Sequence, residues 1–229
     1  MAKLRFFFGT MGSGKSTQAL QIRHNMASRG LSVILTTQMD REEGKVSSRL
    51  GVAAEAEIVD TQLDLHKLAV DAYAADGLNA MVCDEAQFYE PRQIDQLARV
   101  VDELGVDVYA FGLLTSFQGE LFPGTARLLE LADERSELQV EARCWCGSRA
   151  THNARLVNGV QVYAGALKVV GDTAIDEPQD PAEVTYELMC RSHWHDGLRA
   201  LQGDQLELLD ERPLPGDDPR QPSAVASTH

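Results

Sequence analysis

The N-terminal part of the chain alternates short apolar runs with longer segments in which apolar residues recur at helical spacing. The predicted strands are residues 4–8, 31–37, 80–83 and 106–111. The predicted helices are residues 16–29, 63–75 and 94–104. Parallel strands need a crossover connection, which is usually a helix, so this alternation predicts an α/β fold with a mostly parallel sheet.

From about residue 144 the pattern changes to short β-like runs. Residues 155–157 and 160–163 flank Asn158-Gly159, a dipeptide that is favoured in tight hairpins. We therefore predict a small β module in this part of the chain.

Two later segments lack any core pattern. Residues 171–184 are acidic and interrupted by prolines, and the chain after residue 203 is polar, acidic and Pro-rich, which is typical of disorder. The predicted division is an N-terminal α/β domain at 1–142, the small module at 143–196, and a C-terminal segment at 197–229 with a disordered tail.

Composition narrows the class of protein. The 229 residues are 44% hydrophobic and 24% charged, which is typical of globular proteins. No apolar run approaches the ~18 residues of a membrane-spanning helix, and no leader pattern precedes the first strand, so we expect a cytoplasmic protein without membrane contact. The net charge of −14 should repel a phosphate backbone, which makes polymeric nucleic acid a poor partner.

A glycine-rich segment follows the first predicted strand. Residues 9–16, Gly-Thr-Met-Gly-Ser-Gly-Lys-Ser, fit the pattern G-x-x-x-x-G-K-[ST] and lie between a strand and a helix, as this motif requires. In such a P-loop, backbone N–H groups and Lys15 hold phosphates, and the Ser16 hydroxyl ligates Mg²⁺. The motif predicts binding of a nucleoside triphosphate, whereas an ordinary glycine turn is the alternative.

Two adjacent carboxylates follow the buried strand at 80–83. Asp84 occupies the position that holds Mg²⁺ or its water in P-loop enzymes, and Glu85 is suited to accept a proton as a general base. The alternative is a solvated strand end.

The cysteines form two short metal-binding patterns. Cys144-Trp-Cys146 and Cys190-Arg-Ser-His193 offer three thiols and one imidazole, a donor set that suits structural Zn²⁺. The C-x-C spacing is tighter than usual, and thiols that only pack in a core are the alternative. Cys83 lies inside a predicted strand and is interpreted as a core residue.

Three further residues are candidates for ligand contact. Arg41 offers paired donors to phosphate oxygens, with a solvated loop arginine as the alternative. Phe117 and Phe122 follow the strand at 106–111, where loops at the carboxyl edge of a sheet line ligand crevices, and core packing is the alternative for either ring.

Taken together, these motifs resemble the type II thymidine kinases, a tetrameric, zinc-containing family. The resemblance covers about residues 3 to 196 and includes the P-loop, Asp84-Glu85-Ala-Gln-Phe88, the loop at 117–124, the cysteine pairs and Tyr186. It implies a RecA-like parallel sheet with a zinc-held lasso module, and transfer of the ATP γ-phosphoryl group to the 5′-hydroxyl of thymidine or deoxyuridine, giving dTMP in nucleotide salvage. It also implies a homotetramer.

The resemblance implies a role for each matching residue. The residues expected to bind phosphate are Gly9, Thr10, Met11, Gly12, Ser13, Gly14, Lys15, Ser16, Thr17 and Arg41. Mg²⁺ is expected to bind to Ser16 and Asp84, and Glu85 is expected to act as the general base. Zinc is expected to bind to Cys144, Cys146, Cys190 and His193. The nucleoside pocket is expected to be lined by Met11, Phe88, Leu113, Phe117, Phe122, Thr151 and Tyr186, and the backbone of Val169, Val170, Gly171 and Asp172 is expected to hydrogen-bond to the thymine edge.

The chain departs from the family pattern at three places, and two other functions compete with the kinase. The departures are the short first cysteine pair, Met39 where many members carry an acidic residue, and a long segment at 171–185. One alternative is a P-loop ATPase or GTPase that acts on water. The other is a zinc-containing protein that binds nucleotide without turnover.

Overall fold

A computed structural model describes residues 1–38, 45–47, 53–138, 141–167 and 183–197. Its strands are β1 (Leu4–Gly9), β2 (Val33–Thr37), β3 (Lys45–Ser47), β4 (Ala53–Glu55), β5 (Glu57–Ile58), β6 (Ala80–Cys83), β7 (Asp107–Leu113), β8 (Glu134–Glu137), β9 (His152–Val157), β10 (Val160–Val162) and β11 (Val184–Met189). Its helices are α1 (Lys15–Ala27), α2 (Leu65–Asp76), α3 (Pro91–Leu104), α4 (Pro123–Leu131) and α5 (Arg191–Asp196).

Six strands form one parallel sheet in the order β5-β2-β6-β7-β1-β8. This confirms the predicted α/β fold. The register pairs Gly9 with Leu113 and Cys83 with Ala110, so β1, β6 and β7 end at the same edge. The segments that follow these three strands therefore meet there.

The core lies between this sheet and its helices. Helix α3 begins with Pro91 after a reciprocal hydrogen-bonded cap between Glu90 and Gln93, and it ends before Gly105, which has a φ of 66°. Its buried face includes Ile94, Leu97 and Val100, which pack with Phe6 and Met81 of the sheet. The cap and the apolar face explain why the sequence pattern located this helix closely.

The small module contains a separate antiparallel sheet in the order β10-β9-β11. At the predicted hairpin, Asn158 has a φ of 48° and Gly159 a φ of 76°, as a tight turn with two left-handed residues requires. The hydrophobic cluster of the module is small: it consists of Cys144, Ala154 and Met189, with Cys190 and Trp194 packed against them, and Ala150 and Leu156 are also buried. A core of this size needs additional support from a metal or from neighbouring elements.

Several elements were not predicted from the sequence. All four residues of strand β8, Glu-Arg-Ser-Glu, are exposed at a sheet edge, and none of them is apolar. Helix α4 begins at Pro123-Gly124, a dipeptide that indicates a loop, although proline is well suited to a first helical turn. None of the helices in the described ranges is long and apolar enough to cross a membrane.

Gly124→Ala tests the close approach between α4 and the turn that follows Asp84. In an ordinary helix this change stabilises a protein, because alanine loses less conformational entropy on folding. At Gly124 the new Cβ would lie 2.6 Å from the carbonyl oxygens of Ala86 and Tyr89. We expect the free energy of unfolding in urea to fall by about 1–3 kcal/mol. A variant as stable as the parent would contradict this packing.

Candidate functional site

The P-loop, residues 9–17, connects β1 to α1 at the carboxyl edge of the sheet. Gly12 and Gly14 have φ values of 74° and 79°, and Gly14 caps α1 without a side-chain hydrogen bond. Lys15 is only 7% exposed, and its Nζ donates to the carbonyl oxygen of Thr10 at 2.8 Å. The loop thus curls around an ammonium group at the N-terminus of a helix, an arrangement that favours binding of anions.

Asp84 is buried directly after β6, facing the P-loop. It is 2% exposed, and its Oδ1 accepts no hydrogen bond from the described residues. Burial and, to a smaller extent, repulsion by Glu85 raise the pKa of Asp84 to about 6, although a hydrogen bond with Ser16 and the charge of Lys15 oppose the shift. A buried carboxylate oxygen beside a hydroxyl is the donor set that a hard divalent cation takes.

Glu85 adopts a left-handed backbone conformation with a φ of 53°. A non-glycine residue held in this region carries about 1–3 kcal/mol of strain, and such residues concentrate at functional sites. The buried amide of Gln87 donates to Glu85 Oε2 through Nε2, while its Oε1 accepts from the Leu113 N–H at 3.0 Å. Gln87 therefore fixes the Glu85 carboxylate relative to the end of β7.

A cavity of about 530 Å³ has Gln87, the hydrogen-bond partner of this carboxylate, in its wall. Its lining combines aromatic, proline and polar residues from three segments: Gln87, Phe88, Tyr89, Glu90, Pro91, Arg92, Phe122, Pro123 and Leu167. The Phe88 and Phe122 rings meet edge to face at 5.3 Å. Phe88 and Phe122 are thus two predicted pocket residues that line the cavity. Leu113 and Phe117, which were also predicted, are buried in the chain segment that leads to Phe122.

Arg155 is a buried residue that sequence reasoning missed. Its guanidinium lies 3.7 Å from the centre of the Phe117 ring, and its Nε donates to the Tyr186 hydroxyl at 2.9 Å. Its two terminal nitrogens donate to the carbonyl oxygens of Ala166 and Leu167 at 2.7 and 3.2 Å. The arginine thus connects Phe117 and Tyr186 to Ala166 and Leu167, which precede the predicted thymine-reading segment 169–172.

The P-loop also contacts the small module. The Met11 N–H donates to Asn153 Oδ1 at 2.9 Å, and Asn153 is buried. Thr151, the predicted pocket residue, is exposed, and its hydroxyl pairs with His152 Nδ1 at 2.9 Å. A contact across 142 residues leaves no local pattern in the sequence, which is why Asn153 was not found.

The four predicted zinc ligands come together. The donor atoms of Cys144, Cys146, Cys190 and His193 lie within 4.8 Å of one another, and Cys144 Sγ is 3.3 Å from His193 Nδ1. Within the described ranges this is the one group of three or more such residues close enough to hold a metal ion. Tetrahedral zinc, with Zn–S distances of about 2.3 Å, needs ligand separations of this size, so the donor set fits a structural zinc site.

The short C-x-C spacing is compatible with this cluster because the chain turns sharply there. The Gly147 N–H donates to the Cys144 carbonyl oxygen at 2.8 Å, and the Cys144 N–H donates to Ser148 at 2.9 Å. The turn brings both thiols to one side. Trp145, between them, stacks on the His193 ring at 4.1 Å.

Several predicted residues lie outside the described ranges. They are Met39, Arg41, Val169, Val170, Gly171 and Asp172. Their roles, like the roles of the other predicted site residues, stay predictions.

Comparison with known proteins identifies the family. A family model described as thymidine kinase matches residues 2–194. A protein named thymidine kinase from Streptomyces coelicolor is 56% identical over 195 residues, which cover 84% of this chain and 88% of the relative. Similarly named proteins from Cutibacterium acnes and phage T4 are 44% and 36% identical, over 96% and 88% of this chain and the whole length of each relative. The family resemblance inferred from the motifs is thus confirmed, and the chain belongs to the thymidine kinase family.

Proposed function

We propose that this protein phosphorylates thymidine and deoxyuridine at the 5′-hydroxyl with ATP as donor, giving dTMP from thymidine for DNA precursor synthesis. The observation that carries the proposal is one juxtaposition. Gln87 lines the aromatic cavity and also hydrogen-bonds to Glu85, next to the buried Asp84. A nucleoside in that cavity would have its hydroxyl close to a carboxylate and to the phosphate loop.

The P-loop would hold the phosphates of ATP. Backbone N–H groups of residues 9–17 and the Lys15 ammonium would contact the phosphate oxygens, and Arg41 would add a guanidinium. Ser16 and Asp84 would hold Mg²⁺, which neutralises charge that develops on the phosphates when it is bound. The unpaired Asp84 Oδ1 beside Ser16 supports that part of the proposal.

Glu85 would act as the general base. The 5′-oxygen of thymidine forms a bond to the γ-phosphorus, the bond from that phosphorus to the ADP oxygen breaks, and the hydroxyl proton passes to the Glu85 carboxylate. The left-handed backbone and the Gln87 hydrogen bond support this role, because both restrict where the carboxylate points.

The nucleoside would occupy the aromatic cavity. Phe88 and Phe122 would contact the base or sugar, with Met11, Leu113, Phe117, Thr151 and Tyr186 completing the pocket. The backbone of 169–172 would read the thymine edge. Leu167, which lines the cavity and accepts from Arg155, supports this placement because it lies two residues before that segment.

The small module would be held by one structural Zn²⁺ on Cys144, Cys146, Cys190 and His193. We further propose that residues 1–142 and 143–196 act as the kinase domain and zinc module of a cytoplasmic homotetramer.

The decisive assay is incubation of the purified protein with MgATP and single nucleosides. Thymidine-dependent formation of dTMP and ADP supports the kinase, nucleoside-independent ADP release supports a water-directed ATPase, and ATP binding without turnover supports a nucleotide sensor.

Glu85→Gln tests the base. The amide keeps a group that accepts from Gln87 but cannot take a proton, so kcat should fall about 10²- to 10⁴-fold while ATP binding is preserved. Glu103→Gln, the same change on the exposed surface of α3, is the control and should keep the parental kcat. A Glu85→Gln enzyme with near-parental kcat would assign the proton transfer to another group.

Metal analysis tests the zinc site. We expect one zinc per chain in the purified protein, and Cys144→Ser should lower both zinc content and the thermal midpoint because the small module has little core of its own. Cys83→Ala is the control, since this thiol is buried in β6 and outside the cluster. It should leave zinc content unchanged. Unaltered zinc in Cys144→Ser would refute the four-ligand site.

Base selectivity tests the proposed reading of the thymine edge. Thymine presents an acceptor at O4 and a donor at N3, whereas cytosine presents a donor at N4 and an acceptor at N3. Fixed backbone groups that match thymine leave their own polar atoms unpaired against cytosine, so kcat/KM for deoxycytidine should be lower by ~10⁴ or more. Deoxyuridine lacks one methyl group, worth only about 1–3 kcal/mol, and should remain a poorer substrate. Similar values for thymidine and deoxycytidine would indicate adaptable side chains instead.

A further inference from the structure

Trp194 connects the zinc ligands to the segment that carries Phe117. It follows His193 in α5, and its indole Nε1 donates to the Phe117 carbonyl oxygen at 3.2 Å. The two residues are 77 positions apart in the chain. The indole therefore lies between the zinc cluster and the loop after β7.

Residues of the small module hold this indole on two sides. The His152 ring stacks on it at 4.8 Å, and the Tyr163 ring meets it edge to face at 5.4 Å. The Tyr163 hydroxyl also donates to the Trp194 carbonyl oxygen at 2.6 Å. Both the ring and the backbone of Trp194 are thus fixed.

The loop between β7 and α4, residues 114–122, is called the Phe117 loop, and it leaves space for the indole. Gly119 has a φ of 80°, and a Cβ at that position would lie 2.5 Å from Trp194 Cη2. Phe117 itself is 4% exposed and has the Arg155 guanidinium over its ring. The loop conformation consequently depends on contacts that the small module supplies.

Helix α5 is held at Trp194 and at the proposed zinc ligands. It is six residues long and contains no buried residue, and the Trp194 carbonyl oxygen accepts hydrogen bonds from Gln161 and Tyr163. Its cap, Cys190, and His193 are both ligands of the proposed zinc site, so one metal ion would hold the start of the helix that positions Trp194. Without the metal, so short a helix is marginal.

We propose that Trp194 is a positioning residue that couples zinc occupancy to the nucleoside pocket, so that loss of zinc releases the Phe117 loop and weakens thymidine binding. This inference rests on the proposed function for the identity of the ligand. The coupling between the metal and the loop is independent of that identity.

Tryptophan fluorescence tests the coupling without turnover. The chain has two tryptophans, so Trp145→Phe leaves Trp194 as the single reporter and keeps an aromatic ring next to His193. In the full-length, zinc-loaded protein, we expect chelation to increase acrylamide quenching of Trp194 at least about twofold and added Zn²⁺ to reverse it, because the indole loses its contacts. Unchanged quenching in protein shown by metal analysis to have lost its zinc would overturn the proposal.

Kinetics of two variants test the effect on the pocket. Trp194→Phe removes the hydrogen bond to Phe117, and Gly119→Ala disturbs the same contact from the loop side. In zinc-loaded protein each should raise the thymidine KM about three- to tenfold, the size expected for one lost hydrogen bond, and leave the ATP KM and kcat within about twofold. Gly30→Ala is the matched control, because Gly30 has a φ of 76° and no atom within 4 Å of the new Cβ.

The outcomes separate the two hypotheses. An unchanged thymidine KM in both variants, or an equal effect on kcat and on both KM values, would overturn the positioning role. A zinc-loaded parent that binds no thymidine would overturn the proposed function, while the quenching response of Trp194 would still decide whether the metal controls the loop.

Discussion

The buried carboxylate of Asp84 is the constraint around which the site is arranged. A charge removed from water is costly unless a partner compensates it, and the Asp84 Oδ1 has no partner in the described chain. The compensating groups, Lys15 and Ser16, come from a loop after β1, which is separated from β6 by β7. Because the sheet is parallel and β7 alone separates these strands, both loops lie at one edge and close together. The catalytic chemistry proposed for this edge thus depends on sheet topology before it depends on any single side chain.

The small module and the parallel sheet depend on each other through a few long-range contacts. Arg155, Asn153 and Trp194 reach from the module to Phe117 and Met11, while the module has few buried apolar residues of its own. Each nitrogen of the buried guanidinium has an acceptor, which offsets the cost of removing this charge from water. The module therefore gains order from contacts that also shape the pocket. The small module and the wall of the cavity are consequently parts of one arrangement.

Local sequence patterns predicted those elements whose own residues favour one backbone conformation or form a recognisable motif. The buried strand β6 was predicted with its exact bounds, and the P-loop and the Asn158-Gly159 hairpin were identified because their residues determine backbone conformation directly. The polar edge strand β8 and the segment 45–58 have no such signal. Arg155 and Asn153 were missed for a different reason: an arginine or an asparagine in a strand carries no mark of a partner that is distant in sequence. Such residues become visible only when the tertiary contacts are known.

The position of Glu85, the proposed general base, is determined by the residues packed around its turn. Its left-handed backbone is unfavourable for a residue with a side chain, so the surrounding structure must hold it. Gln87 is buried between Glu85 and the end of β7, and a Cβ at Gly112 would lie 2.8 Å from the Gln87 Oε1. On the other side, the close approach of Gly124 fixes the carbonyl groups of the same turn. A larger residue at either glycine would meet atoms of this turn at less than 3 Å, so the turn would have to shift. The packing of β7 and α4 therefore fixes the turn that carries the proposed general base.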